Sequence, residues 1–177
     1  MRTADPPGLG FRYAVTEDAA AVAALVERAY RGPDAAKGWT TETHLLTGPR
    51  TGVAEIEHIV VDPDSRFVLA EAEGALVGCA LVRHAGERAH FGMFAVDPAR
   101  QTGGIGKALL SACEDVARQL WSAPVLTMSV ISLRSDLIEW YRRRGYERTG
   151  TTEPFPFHDA SGPLRTDFEL VHLGKQL

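Results

Sequence analysis

The chain has 177 residues, of which 45% are hydrophobic and 24% are charged; these fractions are typical of a globular domain and exclude a disordered chain. Lysine and arginine total 19 against 23 acidic residues, so the net charge is −4. This charge argues against a nucleic-acid partner, because phosphate backbones bind basic surfaces. No apolar run approaches the roughly 20 residues of a membrane span, and the N-terminus lacks the apolar core of a signal peptide. We therefore expect a cytoplasmic protein without a membrane partner.

The first thirty residues contain a lead-in followed by a strand and a helix. Residues 1–10 include two prolines and two glycines and are predicted to be flexible, which leaves 11–177 as a single domain. Phe11–Val15 is predicted to form a short strand. Thr16 is a plausible N-cap, and apolar residues then recur at helical spacing as far as Tyr30.

The middle of the chain changes from helical to strand patterns. A second short helix is predicted to begin at Thr40 or Thr41. The segment 53–61 allows a helix or a strand, and its apolar spacing favours the helix. Three apolar runs separated by turn residues then predict an antiparallel meander, with strands at Phe67–Glu73, Leu76–His84 and Ala89–Val96.

The last third alternates helices and strands. The predicted elements are a long amphipathic helix, a strand, a second helix and two closing strands: Ile105–Leu120, Pro124–Ile131, Leu137–Arg144, Tyr146–Phe157 and Leu164–Leu173. The whole order, β-α-(α)-βββ-α-β-α-β-β, predicts an α+β fold rather than a doubly wound parallel sheet.

The cysteines and histidines give no sign of covalent or metal chemistry. Cys79 and Cys113 lie in apolar surroundings without a CxxC spacing, so both are predicted to be buried thiols. The six histidines lack the spacing of a metal cluster. We expect neither a cysteine nucleophile nor a metal.

A glycine-rich turn leads directly into the long helix. Gly103, Gly104 and Gly106 free the backbone where several N–H groups converge at a helix N-terminus, which favours an anion. A Walker loop is excluded because it needs a glycine at position 101 and a hydroxyl residue at position 108. A dinucleotide fingerprint read from Gly104 is excluded because position 109 is leucine.

The turn resembles the acyl-CoA loop of the GNAT N-acetyltransferase superfamily. Gln101, Gly104 and Gly106 match its pattern Q/R-x-x-G-x-G/A, between a V-x-P strand end and G-K-A-L-L at the helix start. The resemblance implies a GNAT-like mixed, mostly antiparallel sheet of about six to seven strands flanked by about four helices. It also implies acetyl-CoA as the acyl donor, without a metal.

The same resemblance implies which residues bind the CoA moiety. The main chain of the third meander strand would bind the pantetheine arm through Phe94, Ala95 and Val96. The loop and its backbone amides would bind the pyrophosphate through Gln101, Thr102, Gly103, Gly104, Ile105, Gly106 and Lys107.

A second motif agrees with the first. The chain after the fifth predicted strand resembles the family's helix N-x-x-A-x-x-x-Y-x-x-x-G-F/Y, with Tyr141, Gly145 and Tyr146 in place. Arg134 and Leu137 stand where asparagine and alanine are common. Arg134 would therefore approach a CoA phosphate in place of the asparagine contact.

Tyr141 is the predicted catalytic residue. It aligns with the tyrosine that protonates the departing CoA thiolate in many family members. A phenol with a pKa near ~10 can donate to a thiolate whose conjugate acid has a pKa near ~8.5. The alternative is an aromatic residue that only packs beside Trp140.

The acceptor would enter between the first two helices and the last hairpin, as the resemblance implies. Trp39 and Glu42 would hold an amine through cation–π and charge contacts, although an aromatic residue that merely anchors its loop is equally compatible. The base that deprotonates the amine is left among Glu42, His90 and Glu153.

We therefore expect an N-acetyltransferase that moves an acetyl group from acetyl-CoA to an amine by direct attack, with a small molecule as acceptor. A non-catalytic acyl-CoA sensor, an enzyme acting on a protein or peptide amine, and a binding module without a CoA role stay open. Family members often dimerise, so a homodimer stays open as well.

Overall fold

The computed structural model describes residues 6–33, 35, 41–101, 103–158 and 161–177. Short 3-10 turns lie at Thr16–Asp18 and Pro98–Arg100. The other elements, in chain order, are β1 (Leu9–Tyr13), α1 (Ala19–Tyr30), α2 (Val53–Val61), β2 (Ser65–Ala72), β3 (Ala75–Ala85), β4 (Arg88–Val96), α3 (Ile105–Trp121), β5 (Val125–Ile131), α4 (Ser135–Arg142), β6 (Glu147–Pro154) and β7 (Glu169–Gln176).

The strands form one seven-stranded sheet in the order β1-β2-β3-β4-β5-β7-β6. All neighbours are antiparallel except β4 and β5, which run parallel. The predicted α+β fold with a mostly antiparallel sheet is confirmed. Among the helices described, none is long and apolar enough to cross a membrane.

Alternate residues along the strands point to opposite faces of the sheet, so each face has its own apolar core. Helices α3 and α4 cover one face, where Leu109 packs with Leu126 of β5. Helices α1 and α2 cover the other face over β2, β3 and β4, where Leu25 and Ile56 pack with Leu69 of β2. The helices over the second face thus leave β5, β6 and β7 to be covered by loops.

The N-terminal elements differ slightly from prediction. The first strand begins at Leu9, two residues earlier than expected, and residues 1–5 lie outside the described part. Thr16 opens a 3-10 turn instead of capping α1 directly. The carboxylate of Asp18 accepts a hydrogen bond of 2.8 Å from the Val15 N–H, which closes that turn before α1 begins.

Two further predictions are corrected by one contact. The described segment 41–52 contains turns rather than the predicted short helix, and the last strand begins at Glu169 instead of Leu164. Both segments bond to each other: the Leu164 N–H donates to the Leu45 carbonyl at 2.8 Å. Backbone groups paired across the two segments are not available for a local helix or an extended β7.

Candidate active site

A cleft opens where β4 and β5 separate. The two strands pair only along Ala89–Phe91 and Leu126–Met128. Beyond this point β4 has an extra residue relative to β3, because Cys79 faces Ala95 whereas Leu81 faces Gly92. Such a bulge bends its strand, and the edge of β4 that faces β5 is left without a strand partner.

A cavity of about 410 Å³ lies in this cleft. Residues of β4, β5 and α4 supply an apolar lining: Phe91, Phe94, Met128, Val130, Leu137 and Tyr141. The polar lining comes from the end of α1, from β4 and from two loops, one after α1 and one after β6: Tyr30, Arg31, Glu42, Arg50, His90 and His158. A cavity of this size with a few convergent polar groups is typical of small-molecule sites.

Tyr141 lines the cavity from α4 and is 3% exposed. Its ring packs edge-on against Trp140 and Tyr146, at centroid distances of 5.1 and 5.8 Å. Among the described residues its hydroxyl makes no hydrogen bond. Burial raises the pKa of this phenol well above its ordinary value of 10, so the hydroxyl is protonated at neutral pH. Tyr141 is thus both a packed aromatic residue and a proton donor that faces the cavity.

The glycine turn presents an open backbone surface at the start of α3. Gly104 is the N-cap with φ +79°, a left-handed conformation that favours glycine, and it contributes no side-chain cap. A Cβ at Gly103 would meet nothing within 4 Å, and one at Gly104 would meet only Pro6 Cγ at 3.8 Å. The first N–H groups of a helix have no acceptor within the helix, so they are available to a ligand. Thr102 lies outside the described residues.

The other predicted loop residues continue this surface into the helix. Lys107 is exposed and Gly106 half-buried, whereas Ile105 packs in the core with the first turn of α3. The side chain of Gln101 turns back and donates from Nε2 to the Val96 carbonyl at 3.2 Å. Gln101 thereby ties the loop to the end of β4.

The end of β4 is also tied to α1 by a residue that the sequence did not single out. The Tyr30 hydroxyl donates to the Phe94 carbonyl at 2.9 Å, and burial raises the pKa of Tyr30 to about 12. Ala95 points to the opposite face and packs in the core beneath α1 and α2. In the sequence Tyr30 only continues the apolar face of a helix, so no pattern indicated its place in the cavity.

Arg134 lies in the cavity wall and is 5% exposed. Its Nη1 donates to the Thr41 carbonyl at 2.9 Å, and Nε lies 3.3 Å from the Asp136 carboxylate. Arg134 therefore connects the start of α4 to the segment 41–52. Its approach to a CoA phosphate stays a prediction.

Glu42 lies in the polar lining, where Arg31 already compensates its charge. The Glu42 carboxylate is 2.8 Å from Arg31 Nη1, and both side chains are largely buried. Arg31 also donates from Nε to the Gly48 carbonyl at 2.7 Å. Trp39, the predicted companion of Glu42, lies outside the described residues.

His90, the second of the three candidate bases, also lines the cavity. Burial lowers the pKa of His90 below 6.5; the charges of His172 and Arg83 act in the same direction, and that of Glu153 acts against them. Its Nδ1 lies 3.3 Å from the hydroxyl of Thr127.

The third predicted base lies away from the cavity lining. Glu153 is on β6, half of its side chain is exposed, and its carboxylate is 3.4 Å from Nε2 of His172. The His172 ring in turn approaches the hydroxyl of Ser129, which does line the cavity, with 3.5 Å between Nδ1 and Oγ. Glu153 therefore lies behind His172 and is separated from an acceptor by other side chains.

Two loops line the polar end of the cavity; we call residues 41–52 and the described parts of 155–168 the covering loops. The main-chain N–H groups of Thr47 and Gly48 donate to the carbonyls of Gly162 and Ser161, at 2.8 and 3.0 Å. Apolar side chains from both loops and from β5 form a small core beneath these bonds: Leu45, Leu46, Ile131 and Phe168. The covering loops are thus joined to each other and packed on the sheet.

The two cysteines are buried within the cores, as predicted. Burial raises the pKa of Cys79 to about 12, and that of Cys113 well above 9. A thiol in this state is a poor nucleophile. No group of three metal-ligating side chains occurs within the ranges that the structure describes.

Comparison with known protein families gives the class of this protein. Residues 34–146, more than half of the chain, match the sequence model of the acetyltransferase (GNAT) family. The chain therefore belongs to the GNAT acetyltransferase family. Acetyltransferases of this family use acetyl-CoA.

Solved structures with this fold include acetyltransferases named for different acceptors. The ribosomal-protein-S18-alanine N-acetyltransferase from Escherichia coli has a TM-score of 0.71 at 15% identity, over 95% of this chain and 93% of that chain. The ribosomal-protein-alanine N-acetyltransferase from Brucella melitensis also has a TM-score of 0.71, at 20% identity over 95% and 99%. A candidate streptothricin acetyltransferase from Bacillus anthracis, in complex with acetyl coenzyme A, has a TM-score of 0.57 at 15% identity, over 68% of this chain and 66% of that chain. Such identities show the shared fold alone. No curated protein has a sequence that matches this chain significantly.

Proposed function

We propose that this protein is an acetyl-CoA-dependent N-acetyltransferase that acetylates an amine of a small molecule by direct transfer. The observation that carries the proposal is a single cavity lined by a protonated phenol, Tyr141, and by a neutral imidazole, His90. A transfer from thioester to amine needs both groups, because one proton leaves the amine and one is gained by the departing sulfur.

The glycine turn and β4 are the proposed binding surface for acetyl-CoA, which supplies the acetyl group as a thioester. The open backbone at Gly103 and Gly104 and the N-terminus of α3 suit the pyrophosphate, since both offer N–H groups to an anion. The part of β4 beyond Phe91, which has no strand partner towards β5 in the described structure, suits the pantetheine arm, because an extended chain with amide groups can bond to a strand edge.

We assign the proton acceptor to His90, and the tautomer of its ring supports this choice. We assign the hydroxyl hydrogen of Thr127 to the Ala89 carbonyl, 3.1 Å away, and with this assignment the hydroxyl oxygen accepts from Nδ1 of His90. Nδ1 then carries the ring hydrogen, and Nε2 keeps the lone pair. Glu42 is less suited because it is paired with Arg31, and Glu153 because it does not line the cavity.

The proposed transfer proceeds in one displacement. Nε2 of His90, directly or through a water molecule, takes a proton from the bound ammonium group, and the amine lone pair attacks the thioester carbonyl carbon. N–H groups near Phe94 to Val96 would polarise that carbonyl. As the C–N bond forms and the C–S bond breaks, Tyr141 protonates the sulfur, and the second proton of the attacking nitrogen passes, directly or through water, to the tyrosinate. The products are the amide and the free thiol, and the imidazolium of His90 releases its proton to solvent. The buried, protonated cysteines support direct transfer over a covalent enzyme intermediate.

The bonds between the covering loops favour a small acceptor over a protein or peptide. A peptide acetyltransferase needs an open groove through which a chain can pass. Here the two loops are bonded to each other over the polar end of the cavity, with a main-chain bridge between Leu46 and Pro163. The cavity volume of about 410 Å³ also suits a small amine.

The first experiment is thermal unfolding with acetyl-CoA, with ATP and NAD as parallel ligands. Acetyl-CoA at about 100 times its dissociation constant adds roughly 2.7 kcal/mol, which raises the unfolding midpoint by about 5–10 °C for a chain of this size. Release of free thiol is then followed with a panel of amines. A midpoint shift without amine-dependent thiol release would favour a sensor, and no shift with acetyl-CoA would contradict the proposed function.

A further inference from the structure

The charges that line the cavity are unbalanced. Three arginines line it, Arg31, Arg50 and Arg134, against one acidic residue, Glu42. Arg31 is paired with Glu42, and Arg134 with Asp136. Within the described parts of the chain, Arg50 has no carboxylate within ion-pair distance. The polar lining therefore contains a guanidinium whose charge is not compensated by any carboxylate among the residues that the structure describes.

Arg50 is held in place by its neighbours on α1. Its own N–H and that of Thr51 both donate to the Glu27 Oε1, at 2.7 Å from the Thr51 nitrogen, which fixes the main chain here. The guanidinium carbon lies 5.3 Å from the centroid of the Tyr30 ring. Such a stacked, half-buried guanidinium has lost much of its mobility before any ligand binds, so little further ordering is needed on binding.

Tyr30 relates this cation to the proposed reaction centre. One end of the Tyr30 side chain bonds to the Phe94 carbonyl on β4, and the face of its ring is covered by Arg50. The cation and the part of β4 beyond Phe91 are thus separated by about one tyrosine side chain. A ligand that reaches both groups has to carry its charge a few bonds away from its amine.

We propose that the acceptor carries an anionic group close to its amine, a carboxylate or a phosphate, and that Arg50 binds this group. The inference rests on the proposed function and adds the class of acceptor. A guanidinium binds either anion through two parallel N–H donors, and an anion in the cavity balances a charge that is costly to leave unpaired away from water. Since Arg31 is paired with Glu42 and Arg134 with Asp136, Arg50 leaves the net charge of the described lining positive.

The test compares amines that differ only in the anionic group. The panel pairs glycine with glycinamide, alanine with alaninamide, and O-phosphoethanolamine with ethanolamine, and thiol release gives kcat/KM for each compound. The carboxylate pairs and the phosphate pair distinguish the two sources of the charge. We expect one anionic class to be preferred at least 10-fold over its neutral partners. Equal kcat/KM within each pair would overturn the proposal.

Variants assign the preference to Arg50. Arg50→Gln is expected to raise KM for the anionic acceptor about 10-fold or more, since a hydrogen bond between charged groups is lost. The same variant is expected to lower kcat/KM for the neutral partner less than for the anionic acceptor, so that the ratio between the two partners falls towards one. Arg148→Gln, at an exposed arginine on β6, is the control and should change none of these values. A preference that persists in Arg50→Gln would overturn the proposal.

Binding is measured separately from turnover. Each panel compound is added to protein saturated with CoA, and the change in unfolding midpoint is compared between anionic and neutral partners. Equal changes in midpoint for the anionic and neutral partners, including no change with any compound, would overturn the inference. If acetyl-CoA itself still raises the midpoint, the proposed function is unaffected by that result. Loss of the acetyl-CoA shift would instead contradict the proposed function, and the inference with it.

Discussion

The Tyr30 hydroxyl donates a hydrogen bond of 2.9 Å to the main-chain carbonyl of Phe94. This bond joins the last residue of α1 to the bulged part of β4, where Met93 has a positive φ of 44°. A non-glycine residue keeps a left-handed backbone conformation only when the surrounding structure holds it there. Tyr30 is therefore one of the restraints that keep β4 apart from β5 and the cavity open.

Removal of the Tyr141 hydroxyl tests whether Tyr141 acts as a proton donor or only packs in the core. We expect Tyr141→Phe to lower kcat about 100-fold or more, because the departing thiolate loses its proton donor. Affinity for acetyl-CoA and the free energy of unfolding should change little, since this hydroxyl has no hydrogen-bond partner in the described structure. Steady-state kinetics and chemical denaturation measure the two effects.

Tyr146→Phe is the matched control for Tyr141. The Tyr146 hydroxyl bonds to the Glu114 carboxylate at 3.0 Å, in the core beneath α3. Its removal should lower the free energy of unfolding by about 1.5–3 kcal/mol and leave kcat unchanged. An unaltered kcat in Tyr141→Phe would reduce Tyr141 to a packing residue.

The pH dependence of kcat/KM tests His90. Its neutral form is the base, and burial lowers its pKa below 6.5, so the base stays neutral down to a pH below that value. We expect kcat/KM to fall as the pH decreases through this lowered pKa. His90→Gln should lose this acidic limb together with about 100-fold in rate, whereas His44→Gln, at an exposed histidine, should keep both. An unchanged limb in His90→Gln would assign the base elsewhere.

Gly103 tests the phosphate-binding surface without disturbing the fold. A Cβ there meets nothing within 4 Å, so Gly103→Val should leave the midpoint of the free protein nearly unchanged. The same side chain would cover the backbone that a pyrophosphate has to approach, and we expect acetyl-CoA affinity to fall about 10-fold or more. Titration calorimetry gives the affinity. Gly10→Val, at an equally open position on β1, is the control, and equal affinity in both variants would remove the turn from the site.

Gly162 tests whether the covering loops have to stay joined. An added Cβ would lie 2.3 Å from Thr47 Oγ1 and 2.9 Å from the Gly48 nitrogen, so Gly162→Ala has to separate the loops. We expect a fall of about 10-fold or more in kcat/KM for the acceptor, with the affinity for acetyl-CoA retained.

Gly86→Ala shares the backbone strain of Gly162→Ala without the clash. Gly86 has φ +67° and no heavy atom near its added Cβ, so this control should lose about 1–2 kcal/mol of stability and no activity. Equal acceptor kinetics in the two variants would show that loop closure has no part in acceptor binding.

Local patterns predicted most of the elements because their causes are local. The helical spacing at 53–61, the turn residues between the three meander strands and the amphipathic residues of α3 each indicate the structure that forms. Errors of two to five residues occur at element ends, as at Leu164, where a distant segment supplies the hydrogen-bond partner. The glycine turn was predictable for the same reason, since its open backbone follows from the residues themselves.

The sequence by itself determined the α+β order, the buried cysteines and the family-like loop before α3. Only the tertiary structure decided what surrounds the acceptor. The pairing of Glu42 with Arg31, the place of Arg50 over the Tyr30 ring and the burial of His90 all depend on contacts between elements. The periodicity of apolar residues in the sequence indicates which face of an element is apolar. The charge and protonation of a cavity depend instead on which faces meet. Folding decides this, because it brings together loops that lie more than one hundred residues apart.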